Sequence, residues 1–253
     1  MPAGRDRSLL VTYGALIAVT IAAWVSLLRS PMSSDDMAGM QMVMSPTAAD
    51  AVAYVSAWGV MMTAMMLPSA LPMIGLYAAT QRSARRLARA AAVAAFAATY
   101  LIVWAASGLP IYFASLALMA ATPTTVAYVT AGVLVAAGVF QFSPLKQVCL
   151  RHCRTPLGFF MGHWRGGWRG GVAMGWAHAC YCLGCCWALM AVLVVAGAMG
   201  LPWVLLIASV VAAEKLVPDG EWVARASGGS LVLLGLAVAA HPSLASVLRG
   251  LAG

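Results

Sequence analysis

Four cysteines fall within seven residues, at Cys180, Cys182, Cys185 and Cys186, just after His178. On a helix turning about 100° per residue, His178, Cys182 and Cys185 share an arc of about 60°, Cys186 lies about 40° beyond it, and Cys180 points nearly the opposite way. An imidazole with two or three thiols on one stripe is a soft-donor set. Such donors suit Cu(I), zinc or Fe–S clusters, and the Irving–Williams order favours copper over zinc where both bind. A single cysteine is well explained as a small buried hydrophobe. A cluster beside a histidine in an apolar segment is not, because burying an ionisable group is costly.

Three other segments carry soft donors. Trp58, Met61, Met62, Met65, Met66, Ser69 and Met73 would line an arc of about 140° on a helix. Pro68 and Pro72 remove backbone donors there and predict a broken helix with free carbonyls. Thioethers bind cuprous ion without deprotonation, although methionine is also a flexible packing filler. Met37, Met40, Met42 and Met44 follow Asp35 and Asp36 in a segment with little else to bury, a pattern similar to the Met-rich segments of extracytoplasmic copper-handling proteins. Cys149 and Cys153 stand four apart, on one face of a helical turn. Arg151 and Arg154 beside them predict lowered thiol pKa values. A zinc knuckle is an alternative there, and Trp164 and Trp168 suit interfacial anchoring.

These segments are embedded in a chain of 253 residues that is 63% hydrophobic and only 9% charged. So few charges cannot keep a surface wet, and apolar windows of about 20 residues recur along the length. Backbone groups in lipid must be satisfied internally, so these windows are helices. The predicted fold is an all-α, polytopic membrane bundle in a single domain spanning residues 1–253, with helices near 9–28, 52–80, 89–118, 124–142, 170–197, 200–216 and 227–248. The first is read as a retained span, since its apolar core exceeds that of a signal peptide. Between residues 197 and 202, Gly197 and Pro202 suggest a tight turn, with one kinked helix as the alternative.

Positive loops stay in the cytoplasm. Arg5, Arg7, Arg82, Arg85, Arg86, Arg89, Lys146, Arg151, Arg154, Arg165, Arg169, Lys215 and Arg225 fall on one side of seven crossings, and only Arg29 and Arg249 on the other. The N-terminus is therefore expected inside and the C-terminus outside, with a Met-rich extracytoplasmic loop at 29–51 and a basic cytoplasmic loop at 142–170. The net charge of +8 matches anionic headgroups and needs no nucleic acid. At the inner end of the sixth helix Lys215 is expected to snorkel toward the headgroups. Glu214 can pair with it, with Lys146 or with an arginine.

Three blocks, from Trp58 to Met73, from Phe140 to Pro156, and from His178 to Met190 with Glu214 and Lys215, resemble a bacterial family of predicted metal-binding integral membrane proteins. The likeness spans about residues 50–216, and Cys182-Leu183-Gly184-Cys185-Cys186-Trp187 is its most specific part. Ala179 and Cys180 depart from the pattern, so Cys180 is left out of the site. The resemblance implies metal binding in a multi-pass inner-membrane protein and names neither metal nor reaction.

Together these readings predict a protein that binds and handles or transports Cu(I), with zinc as the alternative metal. In this reading Met37, Met40, Met42 and Met44 collect the ion, Met61, Met62, Met65 and Met66 relay it, His178, Cys182, Cys185 and Cys186 hold it, and Cys149 and Cys153 meet it at the inner face. Its expected partners are the bilayer, the metal ion and a periplasmic or membrane metal-handling protein. No nucleotide-binding loop or phosphorylated Asp motif is present, which argues against ATP-driven pumping and favours a non-enzymatic role. Two alternatives stay open: a membrane thiol–disulfide oxidoreductase using Cys182/Cys185 and Cys149/Cys153, and an accessory or assembly subunit with a structural metal.

Overall fold

The computed structural model of the protein describes residues 3–29, 47–81, 84–197 and 200–250, with the side chains of residues 3–9, Pro156 and His163 left aside. All regular structure among them is α-helical. In chain order the helices are α1 (Ala3–Arg29), α2 (Ala48–Thr80), α3 (Arg86–Ala106), α4 (Gly108–Met119), α5 (Pro123–Gln141), α6 (Pro144–Arg154), α7 (Pro156–His163), α8 (Gly167–Val195), α9 (Leu201–Leu216), α10 (Gly220–Ala240) and α11 (Ser243–Gly250).

Six stretches among the described residues are long and apolar enough to cross a bilayer: α1, α2, the α3–α4 pair, α5, α8 and α10. The expected sixth span, 200–216, falls on α9, whose 16 residues are fewer than the roughly 20 that a perpendicular crossing needs. In the best apolar window of α8, 61% of residues are buried, and in that of α2, 56%; for α1 the figure is 11%. The centre of the bundle is therefore α2 and α8, the two helices that carry the methionine and cysteine stripes, while α1 lies on the outside against α2.

Local chemistry explains the element ends. Thr47 and Asp50 form a reciprocal capping box at the start of α2, the Thr47 N–H donating to Asp50 at 2.8 Å, which satisfies donors that the first turn leaves unpaired. Thr122 caps α5 and Ser143 caps α6, each followed by a proline at the first helical position, where a missing N–H costs nothing. The expected 142–170 loop thus holds two short helices. The chain breaks between α3 and α4 at Ser107, whose hydroxyl donates to the Trp104 carbonyl at 2.6 Å and accepts from the Trp58 indole at 3.2 Å. Gly197, at φ +106°, makes the turn after α8, which settles the choice against one kinked helix. The last expected helix, 227–248, starts earlier and stops at Ala240, because Pro242 forces His241 out of helical geometry. The prolines of α2 do not break it: Pro68 and Pro72 lie inside one continuous helix. The hydroxyls of Ser69 and Tyr100 converge on the Met66 carbonyl, at 2.9 and 3.3 Å.

Small residues set the closest approaches. A methyl group added at Gly171 would run into the carbonyl oxygen of Ala92, and one at Gly175 into that of Phe96. This is the close packing of α8 on another helix that small residues permit, and the partner is α3. Gly138 and Gly228 bring α5 and α10 together in the same way.

Candidate metal centre

The site is assembled from four helices around the thiol of Cys182, which is fully buried. From α3, brought close by Gly171 and Gly175, the Tyr100 hydroxyl lies 3.0 Å from Cys182 Sγ. From the last turn of α9, Lys215 Nζ lies 3.0 Å from the same sulfur. That ammonium also donates to Ser69 Oγ of α2 at 3.1 Å and contacts Met66 Sδ at 3.9 Å. A thioether from α2 and a thiol from α8 therefore meet around one cationic nitrogen.

Further thiols continue from this point. Cys185 Sγ donates to the Cys182 carbonyl at 3.2 Å and lies 3.3 Å from Cys186 Sγ. It also lies 3.9 Å from Cys153 Sγ, contributed by α6. Cys149 packs at Gly184, where any side chain on α8 would collide with its sulfur. Cys180 is exposed, in keeping with its omission from the site.

His178 is only 2% exposed. Its ring stacks on Tyr100 at 5.3 Å between centroids and contacts Phe96 and Phe159 at 6.0 and 5.7 Å. Its Nδ1 has no hydrogen-bond partner. A buried polar atom left unpaired is costly, so this nitrogen is either a price of the aromatic packing or a donor kept for a ligand.

Met61, Met62, Met65 and Met66 are all buried in the core that also holds the cysteines, but only Met66 reaches the Cys182–Lys215 cluster. Met37, Met40, Met42 and Met44 lie outside the described residues. Among the described residues, no three His, Cys, Asp or Glu side chains are arranged to hold one metal ion.

Two expectations change. The arginines of α6 do not activate its thiols. Arg151 points outward, 3.6 Å from Glu221, and Arg154 donates to the carbonyls of Val217 and Pro218, while Cys149 and Cys153 turn inward against α8. Burial pushes the Cys149 thiol pKa up. Cys153 is held well above the ordinary thiol value by its hydrogen bond to Cys182, with burial adding to the effect. The second change concerns Lys215, which does not snorkel. Glu214 takes Lys146 as its partner at 2.6 Å, and adjacent helical residues point about 100° apart. With Glu214 directed at α6, Lys215 is directed at α2 and α8. Its inward position, and the roles of Tyr100 and Ser69 beside it, were not read from the sequence. The signal that could have shown them is the Glu214-Lys215 pair itself, whose two side chains must serve different neighbours.

A family model described as PpoB2, copper chaperone, matches residues 55–238. The chain belongs to this copper-chaperone family. The match begins in α2 and ends in α10, so every residue of the buried cluster lies within it, while α1 and α11 lie outside. Copper handling is thus the coarse function of the protein. No curated protein and no solved structure matches the chain.

Proposed function

We propose that the protein is an integral membrane chaperone for Cu(I), the ion being its cargo. The observation that carries this reading is the meeting of Met66 Sδ and Cys182 Sγ on a single neighbour, Lys215 Nζ, at 3.9 and 3.0 Å. Thiolate and thioether are the donors that select cuprous ion. A closed zinc site takes four ligands in a tetrahedron, and the described residues offer no such set.

In this reading Cys182 and Met66 hold the ion. Cys185, Cys186 and Cys153 form a sulfur path along α8 toward α6 and Cys149, and His178 offers the unpaired Nδ1 from the other side. Met61, Met62 and Met65 continue the thioether stripe along α2, and Met37, Met40, Met42 and Met44 collect copper ahead of it. Seven spans, with α9 as the short one, and the skewed arginines and lysines put the N-terminus and α6 on the cytoplasmic side of a bacterial inner membrane. The recipient is then a copper-accepting protein in the membrane or periplasm, or one that docks at α6. Elemental analysis of purified protein from copper-fed cells tests the reading. Wild type should retain copper, and Cys182→Ser and Met66→Ala should lose most of it; metal-free wild type would overturn it.

A thiol–disulfide oxidoreductase is the second reading, favoured by the 3.9 Å approach of Cys153 and Cys185 across two helices. It requires a mixed disulfide with a partner, which a Cys153→Ser variant would trap and a copper chaperone would not form.

A further inference from the structure

Lys215 is the unexplained member of the cluster. A buried ammonium normally has a carboxylate, yet none among the described residues pairs with Lys215: Glu214 holds Lys146, Glu221 faces Arg151 and Asp50 caps α2. What Lys215 Nζ does touch is Cys182 Sγ, Met66 Sδ and Ser69 Oγ. Two of these three are the donors assigned above to copper. Lys215 is only 8% exposed, but it belongs to the last turn of α9, next to the exposed Leu216 and Val217. A four-carbon stem at a helix end can reach outward from there.

We propose that Lys215 is a resident surrogate cation: its ammonium occupies the seat shared by Met66 and Cys182, and Cu(I) enters as that side chain swings out. The inference rests on the copper reading and adds to it a mechanism of exchange. An ammonium and a metal ion cannot both sit among the same sulfur atoms, because they compete for the same lone pairs and repel each other strongly where little water screens them. With Cys182 as the thiolate that accepts from Nζ, the balance is one monovalent cation for another. The proton stays on Nζ, the Cu–S bonds to Cys182 and Met66 replace the two contacts to nitrogen, and the charge of the nest is unchanged. A divalent ion would leave one positive charge in excess, so the exchange also discriminates against Zn(II) and Cu(II). Release is the reverse step, with the returning ammonium displacing the ion toward the next sulfur.

The chain has only two lysines, Lys146 and Lys215, which makes the exchange directly readable. Full-length protein in detergent is pulsed with an amine-acetylating succinimidyl ester before and after anaerobic loading with Cu(I), and acetylation at each lysine is read by peptide mass spectrometry. Lys215 should be protected in the metal-free protein and label about tenfold faster when loaded, a change equivalent to ~1.4 kcal/mol in exposure. Lys146, clamped by Glu214, should stay protected in both. Persistent protection of Lys215 in copper-loaded protein would overturn the proposal while leaving the copper reading intact. A second measurement uses Lys215→Leu, which adds no donor. Its Cu(I) affinity, from competition with a chromophoric chelator, should be about tenfold tighter than that of wild type, and equal or weaker affinity would contradict the exchange. If neither protein takes up Cu(I), the copper reading fails and the inference fails with it.

Discussion

Lys146 and Lys215 are both buried, and both depend on the same short stretch of α9, yet their surroundings differ in kind. Lys146 sits in a polar network built on a carboxylate, although Gln141 Oε1 in it stays unpaired. Its Nζ donates to Glu214 at 2.6 Å, and the other oxygen of that carboxylate accepts from the Gln141 amide at 2.9 Å. Lys215, one residue further along α9, faces sulfur, a serine hydroxyl and, among the described residues, no carboxylate. A buried ion pair with its remaining hydrogen bonds made locks parts together, and removing one member strands the other. A buried cation held by soft, weakly accepting atoms is poised to be replaced. One lysine fastens α6 to α9, and the other, on the exchange proposed above, marks where a cation belongs.

The comparison can be broken most forcefully at Lys146. Lys146→Leu leaves Glu214 charged and buried without its partner, so stability should fall by roughly 3–5 kcal/mol, read as a lower midpoint of thermal unfolding in detergent. A loss below about 1 kcal/mol would mean the pair is not the fastening it resembles. Next in size is Gly175→Leu. Its side chain would strike the Phe96 carbonyl and pry α8 from α3, costing about 1–3 kcal/mol by overpacking and withdrawing Tyr100 from Cys182; unaltered unfolding would show that the close approach is dispensable. Lys215→Leu should be mild by contrast, within about 1 kcal/mol of wild type in either direction, since Cys182 can take up a proton once the ammonium is gone and no stranded charge remains. Destabilisation as large as that of Lys146→Leu would erase the distinction between the two lysines. The smallest effect concerns α6. Burial raises the Cys149 pKa, so at a given pH less of it is thiolate, and alkylation should accelerate only above the ordinary thiol midpoint of about 8.5. Half-maximal reactivity below that midpoint, measured by mass spectrometry across a pH series, would instead support activation by the nearby arginines.

The all-helical bundle was legible from apolar windows and charge scarcity, because both follow from bilayer thickness and the cost of exposed backbone. The helical face shared by Cys182 and Cys185 was legible from period alone. Lys215 was misread, because snorkelling is the ordinary fate of a lysine at a helix end, and only the three-dimensional commitment of Glu214 to Lys146 turns it inward. Arg151 and Arg154 misled in the same way: neighbours in sequence, they point away from Cys149 and Cys153 once α6 lies on α8. The continuity of α2 through Pro68 and Pro72 was also hidden, since a proline's effect depends on whether nearby groups support the helix around it. Sequence gives the period of a stripe; it does not give which helix the stripe meets.

On the proposed function, Cys182, sharing a cation seat with Met66, is where the protein holds copper. The most direct measurement is the copper content of protein purified anaerobically from copper-supplemented cells, wild type beside Cys182→Ser, with unfolding midpoints confirming that both are folded. About one copper per chain is expected in wild type, bound by soft donors, and little or none in the variant. Copper retained at the wild-type level by folded Cys182→Ser protein would contradict it.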